Sequence, residues 1–79
     1  MKREKVYLVG THRYSFRAGE PAEIIGVEMT TPKQLLPRLS YHIRFSDYVE
    51  DWVAIDDGDY YKIITFTDII NGKIPQVTS

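Results

Sequence analysis

One stretch of this chain alternates apolar and polar side chains so regularly that it fixes its own secondary structure. Over residues 39–45 every second side chain is apolar and those between are polar, in the order Leu39, Ser40, Tyr41, His42, Ile43, Arg44, Phe45. Side chains of a β-strand point to opposite faces with a period of two, whereas an α-helix repeats every 3.6 residues or so. The pattern predicts a strand with one buried face.

Four further runs have strand-like composition and are separated by turn residues. They are Lys5 to Val9, Ala22 to Met29, Asp51 to Ile55 and Tyr60 to Thr65. Val and Ile together number 15 against 7 for Leu and Ala, and branched side chains suit a pleated sheet better than a helix. Gly26 lies inside the second predicted strand, where a glycine indicates a bulge or a sharp bend.

The strand at 39–45 and the run at 51–55 are joined by a short polar connection, so we expect them to pair as an antiparallel hairpin. If Val53 and Ile55 point into the core, Trp52 faces the opposite side. Residues 30–38 contain two prolines and predict an exposed loop with one helical turn.

The C-terminal part predicts a short helix. Thr65 and Asp68 have the spacing of a capping box, and Gly72 is placed to end the helix in the left-handed conformation. Residues 73–79 are expected to form a flexible tail. The 79 residues make one domain, 1–79, that must fold without disulfides because the chain has no cysteine.

The lack of cysteine excludes zinc–thiolate sites and is compatible with a cytoplasmic protein. No run approaches the roughly 20 apolar residues that cross a bilayer, so no membrane association is expected.

Three segments together resemble the small SH3-like barrels, including the KOW and Tudor groups. They read Gly19-x-x-Ala22-x-Ile24-x-x-Val27, Tyr41-x-Ile43-x-Phe45-x-Asp47 and Asp51-Trp52-Val53. The resemblance covers roughly residues 14 to 65 and implies a small SH3-like barrel. Together with the five strand-like runs and the helix signals after residue 65, it predicts an all-β, SH3-like barrel of about five strands with a short C-terminal helix. The Ala-Leu-Tyr-Asp-Tyr motif of SH3 domains is missing, so proline-rich ligands are not implied. Fold likeness does not fix function.

Signals for catalysis are scarce. The chain has two histidines and lacks a nucleophile elbow and a phosphate-binding glycine loop. Residues 56–59 form an acidic run without EF-hand spacing, which favours an acidic turn over a calcium site. We therefore expect no enzyme activity, no cofactor and no metal.

Charge is divided unevenly along the chain. Residues 1–38 have seven basic and four acidic side chains, whereas residues 39–79 have three and seven, which gives the two halves +3 and −4. Acidic groups beside aromatic rings suit a cationic ligand, through ion pairing and cation–π contact. The sequence predicts a protein-interaction module that binds a basic partner segment through Asp47, Tyr48, Glu50, Trp52, Asp56, Asp57, Asp59 and Tyr60.

Two alternatives stay open. The basic N-terminal face, with Lys5, Arg13 and Arg17, is suited to a nucleic-acid backbone, although a pI of about 6.1 is low for such a domain. A small inhibitor or adaptor, of the kind that phages and mobile elements encode, is the second alternative. The oligomeric state is open in each case.

Overall fold

Five strands, one 3₁₀ turn and one α-helix make up the part of the chain that the structure describes. The computed structural model of the protein describes residues 3–31 and 36–78. The elements, in chain order, are β1 Val6–Gly10, β2 Ala22–Thr30, β3 Arg38–Arg44, β4 Glu50–Ala54, a 3₁₀ turn Gly58–Tyr60, β5 Tyr61–Thr65 and α1 Phe66–Ile70. Residues 32–35 lie outside the described residues, so the helical turn expected in that loop stays a prediction.

The strands form one antiparallel sheet in the order β4-β3-β2-β1-β5. The prediction of an all-β chain with five strands and a C-terminal helix is confirmed, as is the β3–β4 hairpin. In the described chain β4 and β5 do not pair with each other, so the sheet is not closed into a barrel. The architecture is an open sheet that is compatible with a small SH3-like barrel.

A bulge in β2 decides which side chains reach the core. Ile24 pairs with Ile43, but the next paired residue on β2 is Gly26, which leaves Ile25 as an extra residue. Because the extra residue changes the alternation, Val27 and Met29 lie on the same face of the sheet as Ile24. The bend predicted at Gly26 is therefore confirmed.

The buried core lies at the middle of this face. Its buried members are Leu8, Ala22, Ile43, Phe45 and Tyr61, with Ile24, Tyr41 and Val53 packed against them. Trp52 lies on the other face and is 44% exposed, so the predicted orientations of Val53 and Trp52 are confirmed. The Tyr61 hydroxyl donates a hydrogen bond of 2.5 Å to the carbonyl oxygen of Ile55, so the polar atom of this buried side chain has a partner.

The predicted capping box of α1 is present. Thr65 accepts from the amide of Asp68, and the Asp68 carboxylate accepts in return from the amide of Thr65. This backbone hydrogen bond holds the pKa of Asp68 below its usual range. Gly72, with φ of 72°, follows the helix as predicted. With five residues, α1 is too short to cross a bilayer, and no other described helix does so.

The segment after α1 returns to the sheet. The Thr78 amide donates to the Thr11 carbonyl oxygen at 2.7 Å, and the Thr78 carbonyl accepts from the Arg13 amide at 3.0 Å. Residues 73–79, expected to form a flexible tail, therefore have an anchor at residue 78, close to the end of β1. In β1 itself, Val9 is fully buried although its side chain points to the face opposite Leu8 and the main core.

Candidate interaction surface

A small apolar hollow opens between the loop at residues 11–21, β4 and the 3₁₀ turn. Its floor is made by core side chains, including Leu8, Ile43 and Phe45. Its rim is formed by Ser15, Phe16, Glu20, Asp51 and Tyr60. The rim therefore combines two aromatic rings with two carboxylates around an apolar floor.

The loop at residues 11–21 is held close to the sheet by backbone geometry. The Gly19 amide donates to the Gly10 carbonyl oxygen at 2.8 Å, and the Ser15 hydroxyl donates to the Tyr60 carbonyl oxygen at 3.0 Å. A Cβ at Gly10 would lie 2.7 Å from the Cβ of Ser15, so only glycine allows this approach. Gly19 has φ of 82°, which favours glycine in the turn before β2.

Arg17 joins the same loop to the β3–β4 turn through its ion pairs with Glu20 and Asp47, an arrangement called the Arg17 clasp below. Its guanidinium donates to Glu20 and to both carboxylate oxygens of Asp47, at 2.9 and 3.0 Å from the latter, and lies 4.3 Å from the centre of the Phe45 ring. The pKa of Arg17 is raised by its hydrogen bonds with Glu20 and Asp47, and its guanidinium holds the pKa of Asp47 low. Two carboxylates therefore pair with this one cation within the fold.

Three exposed aromatic rings, those of Tyr14, Phe16 and Tyr60, lie along the loop and the 3₁₀ turn. Phe16 is 60% exposed and meets Phe45 edge to face, with ring centres 5.8 Å apart. The His12 ring lies between Tyr14 and Tyr60, at 5.1 and 5.2 Å. Of the rings named in this paragraph, only Tyr60 was assigned to the partner surface from the sequence. The signal that was available for Tyr14 and Phe16 is their position in a turn-rich segment without strand alternation.

The predicted partner-binding residues lie in three separate places. Asp47 and Tyr48 are in the β3–β4 turn, and Glu50 and Trp52 are on the outer face of β4. Asp56, Asp57, Asp59 and Tyr60 follow β4, and of the eight residues only Tyr60 lines the hollow.

Trp52 is engaged within the fold. Its ring stacks on His42 with centres 4.5 Å apart and planes 12° apart, and its indole N–H donates to Glu28 at 3.0 Å. His42 also contacts Glu28, at 3.1 Å, and Glu50. One face of the Trp52 ring and the only polar atom of its side chain are therefore already in contact with His42 and Glu28.

Arg38 binds two of the predicted acidic residues. It reaches Asp56 at 2.5 Å and Asp57 at 3.0 Å, and its hydrogen bond to Asp56 contributes most to raising the pKa of Arg38. Within the described ranges, no cationic group lies within ion-pair distance of Asp51 or Asp59. Of the two carboxylates at the rim of the hollow, Glu20 is paired with Arg17 and Asp51 has no cationic partner among the described side chains, and Asp59 precedes the rim residue Tyr60 in the 3₁₀ turn.

Tyr48 has an unusual backbone. The Tyr48 amide donates to the Phe45 carbonyl oxygen and the Phe45 amide to the Val49 carbonyl oxygen, at 2.9 and 2.8 Å, so a tight turn places Tyr48 at φ of 70°. Glycine is the usual residue at this position of a hairpin. The Tyr48 side chain is 77% exposed, so burial of the ring does not compensate for the strained backbone.

The cations of the nucleic-acid alternative are in different surroundings. Lys5 Nζ lies 3.8 Å from Glu23, and Arg13 packs over the Tyr14 ring at 4.6 Å, whereas Arg17 is the clasp described above. Over residues 3–31 and 36–78, no three His, Asp or Glu side chains are grouped to hold a metal ion.

Comparison with known proteins finds no match for the chain: no family model, no curated protein and no solved structure.

Proposed function

We propose that this chain is a non-catalytic protein-interaction module that binds a basic segment of a partner protein at the rim of the hollow. Phe16 and Tyr60 are the aromatic contacts, Asp51 supplies the negative charge at the rim, and Asp59, next to Tyr60 in the chain, adds to it. A small inhibitor or adaptor is one form that such a module takes. The resemblance to SH3-like barrels supports a binding scaffold and leaves the ligand to the site.

The observation that carries the proposal is the exposure of two aromatic rings at an apolar opening. Phe16 is 60% and Tyr60 50% exposed, although both border a floor of core side chains. Exposed aromatic residues around a depression are enriched among the residues that dominate binding energy in protein interfaces.

The chemistry of the rim selects the class of ligand. A lysine or arginine side chain has an apolar stem and a charged end, and it packs its stem on apolar surface while the charge stays near water. Ring faces attract a cation, and the carboxylate of Asp51 supplies the opposite charge beside them. The same rim repels a phosphate.

The loop that forms part of the rim is ordered before any ligand binds. The loop at residues 11–21 is held by the Gly19–Gly10 and Ser15–Tyr60 hydrogen bonds and by the Arg17 clasp. A loop that is already ordered loses less entropy when a ligand binds.

The test uses an array of Lys- and Arg-containing peptides, each with a twin in which glutamine replaces every cation. We expect the protein to bind basic peptides and not their twins. Phe16→Ala and Tyr60→Ala should each weaken binding by about tenfold, since cation–π contacts contribute roughly 0.5–2 kcal/mol. Asp51→Asn should weaken it with little change in shape.

Matched variants separate this surface from others. Phe16→Leu keeps the apolar contact with Phe45 and removes the ring, so it should bind as weakly as Phe16→Ala while its melting temperature stays close to that of the parent. Trp52→Ala lies on the other face and should leave binding unchanged. Binding that survives both hollow variants but is lost in Trp52→Ala would contradict the proposal.

A further inference from the structure

A second cleft, which shares only Phe45 with the lining of the hollow, has the opposite charge character. It lies between β1, the start of β2 and the β3–β4 turn, and Lys5, Tyr7, Pro21, Glu23, Arg44 and Tyr48 line it. Two of these side chains are cationic and one is acidic, so these lining groups together have a net charge of +1. The cleft therefore suits an anionic ligand.

Glu23 is only loosely bound to the two cations. Lys5 Nζ lies 3.8 Å from one Glu23 oxygen, and an Arg44 nitrogen lies 3.9 Å from the other. Charge-assisted hydrogen bonds are about 2.7–2.9 Å long, so neither contact is a hydrogen bond. An incoming anion can therefore take up donors of both cations without breaking a strong bond.

Two aromatic rings border the same cleft. Tyr7 is backed by Phe66 of α1, with ring centres 6.3 Å apart. The Arg44 guanidinium lies 5.7 Å from the centre of the Tyr48 ring. A flat, uncharged group next to an anion would meet ring faces and cations together.

The backbone of Tyr48 points independently to binding. At φ of 70° an aromatic residue is strained where glycine would be relaxed, and 77% exposure gives no compensating burial. Strained residues that add nothing to packing are concentrated at functional sites. Here the strained residue is the one that presents its ring to the cleft.

From these observations we infer a nucleotide-binding cleft in which Lys5 and Arg44 hold a phosphate and Tyr48 stacks on the base. The chemistry is shared by a free nucleotide and by a nucleotide within a single strand. This site does not rest on the proposed binding of a basic partner, because it uses none of the residues at the rim of the hollow.

Two probes distinguish the sources of the nucleotide. Adenosine monophosphate is titrated into isotope-labelled protein and followed by NMR, and a fluorescein-labelled oligothymidylate is followed by anisotropy. Binding of either probe with shifts at Lys5, Arg44 and Tyr48 supports the cleft. Absence of binding by both probes overturns it, and so does a footprint that excludes these residues.

Variants test the assigned roles. Arg44→Ala and Lys5→Ala should each weaken oligothymidylate binding. Each should also make the slope of log affinity against log salt concentration shallower by about 0.7, whereas Arg44→Lys should keep the slope of the parent. Tyr48→Gly should weaken binding about tenfold through the lost stacking. Arg13→Ala, outside the cleft, should bind like the parent. Equal loss in Arg13→Ala, or equally tight binding of polyglutamate, would overturn the nucleotide assignment.

Discussion

At the scale of single residues, charged side chains in this protein are used first to hold the fold together. Arg17 and Arg38 each meet two carboxylates, and His42 contacts two more. The run of acids at 47–59 therefore looks like a continuous acidic surface in the sequence but is largely paired in the structure. Pairing partners 30 or 18 residues away along the chain cannot be found from local patterns.

The Arg17–Asp47 pair makes a prediction about acid stability. Because the folded state keeps the pKa of Asp47 below its unfolded value of about 3.9, the unfolded chain takes up the proton first as the pH falls. The stabilisation is complete above that value and is lost as the pH falls through the lowered pKa. Urea unfolding across this range should show stability falling with pH.

Asp47→Asn should flatten part of that acid loss. Asp68 and Glu4 should contribute to the acid loss as well, since the Thr65 amide lowers the pKa of Asp68 and hydrogen bonds from Thr67 lower the pKa of Glu4. An acid profile that is the same in Asp47→Asn and the parent would show that the Arg17 clasp does not act in solution.

Backbone strain at Tyr48 makes the second prediction at this scale. Tyr48→Gly should raise stability, by up to about 1 kcal/mol, because glycine adopts the left-handed conformation without strain. Tyr14→Gly is the control, since Tyr14 is 76% exposed and has no positive φ, and glycine there should lower stability slightly. Thermal unfolding measures both, and a fall in the melting temperature of Tyr48→Gly would contradict the strain.

At the scale of elements, the sequence predicted the features that depend on residues close together in the chain. Alternation identified β3, and the spacing of Thr65 and Asp68 identified the start of α1. The bulge at Gly26 could be expected from a glycine inside a strand. The anchor at Thr78 could not, because its partners at the end of β1 are far away in the sequence and no periodicity signals them.

The anchor at Thr78 can be tested by removing its donor. Thr78→Pro deletes the amide that bonds to the Thr11 carbonyl oxygen and should lower stability by about 1 kcal/mol. Thr78→Ala keeps both backbone bonds and should have a smaller effect. Hydrogen exchange at the Arg13 amide, which donates to Thr78, should quicken in the proline variant alone. Equal exchange rates in both variants would leave the segment without an anchor.

At the scale of the whole molecule, the open sheet leaves part of its apolar face in contact with solvent. Ile43 is 2% exposed, whereas on the same face Val27 is 51%, Met29 62% and Leu39 49% exposed. The regular alternation of residues 39–45 predicted one continuous buried face. Leu39 departs from it because the described strands do not curl round to cover the far end of the sheet.

Two substitutions on that face test its openness. Ile43→Ala should cost about 2–5 kcal/mol, because a buried side chain leaves a cavity. Val27→Ala should cost less than about 1 kcal/mol, because solvent already reaches it. Urea unfolding of both variants measures the difference, and a large loss in Val27→Ala would mean that the far end of the sheet is covered in solution.

The hollow is the feature that only the assembled molecule shows. Its rim joins Phe16, Asp51 and Tyr60, which come from a loop, a strand and a 3₁₀ turn. The aromatic residues predicted for the partner surface, Tyr48, Trp52 and Tyr60, are all exposed, but Trp52 faces away from the hollow and only Tyr60 lines it. Residue types were predictable, and their grouping depended on contacts between distant segments.

Whether the rim of the hollow binds a basic segment can be decided by an NMR footprint. Isotope-labelled protein is titrated with a basic peptide from the array and, separately, with its glutamine twin. We expect shifts at Phe16, Asp51 and Tyr60 with the basic peptide and none with the twin. Shifts confined to Trp52 and its neighbours, or equal shifts with both peptides, would contradict it.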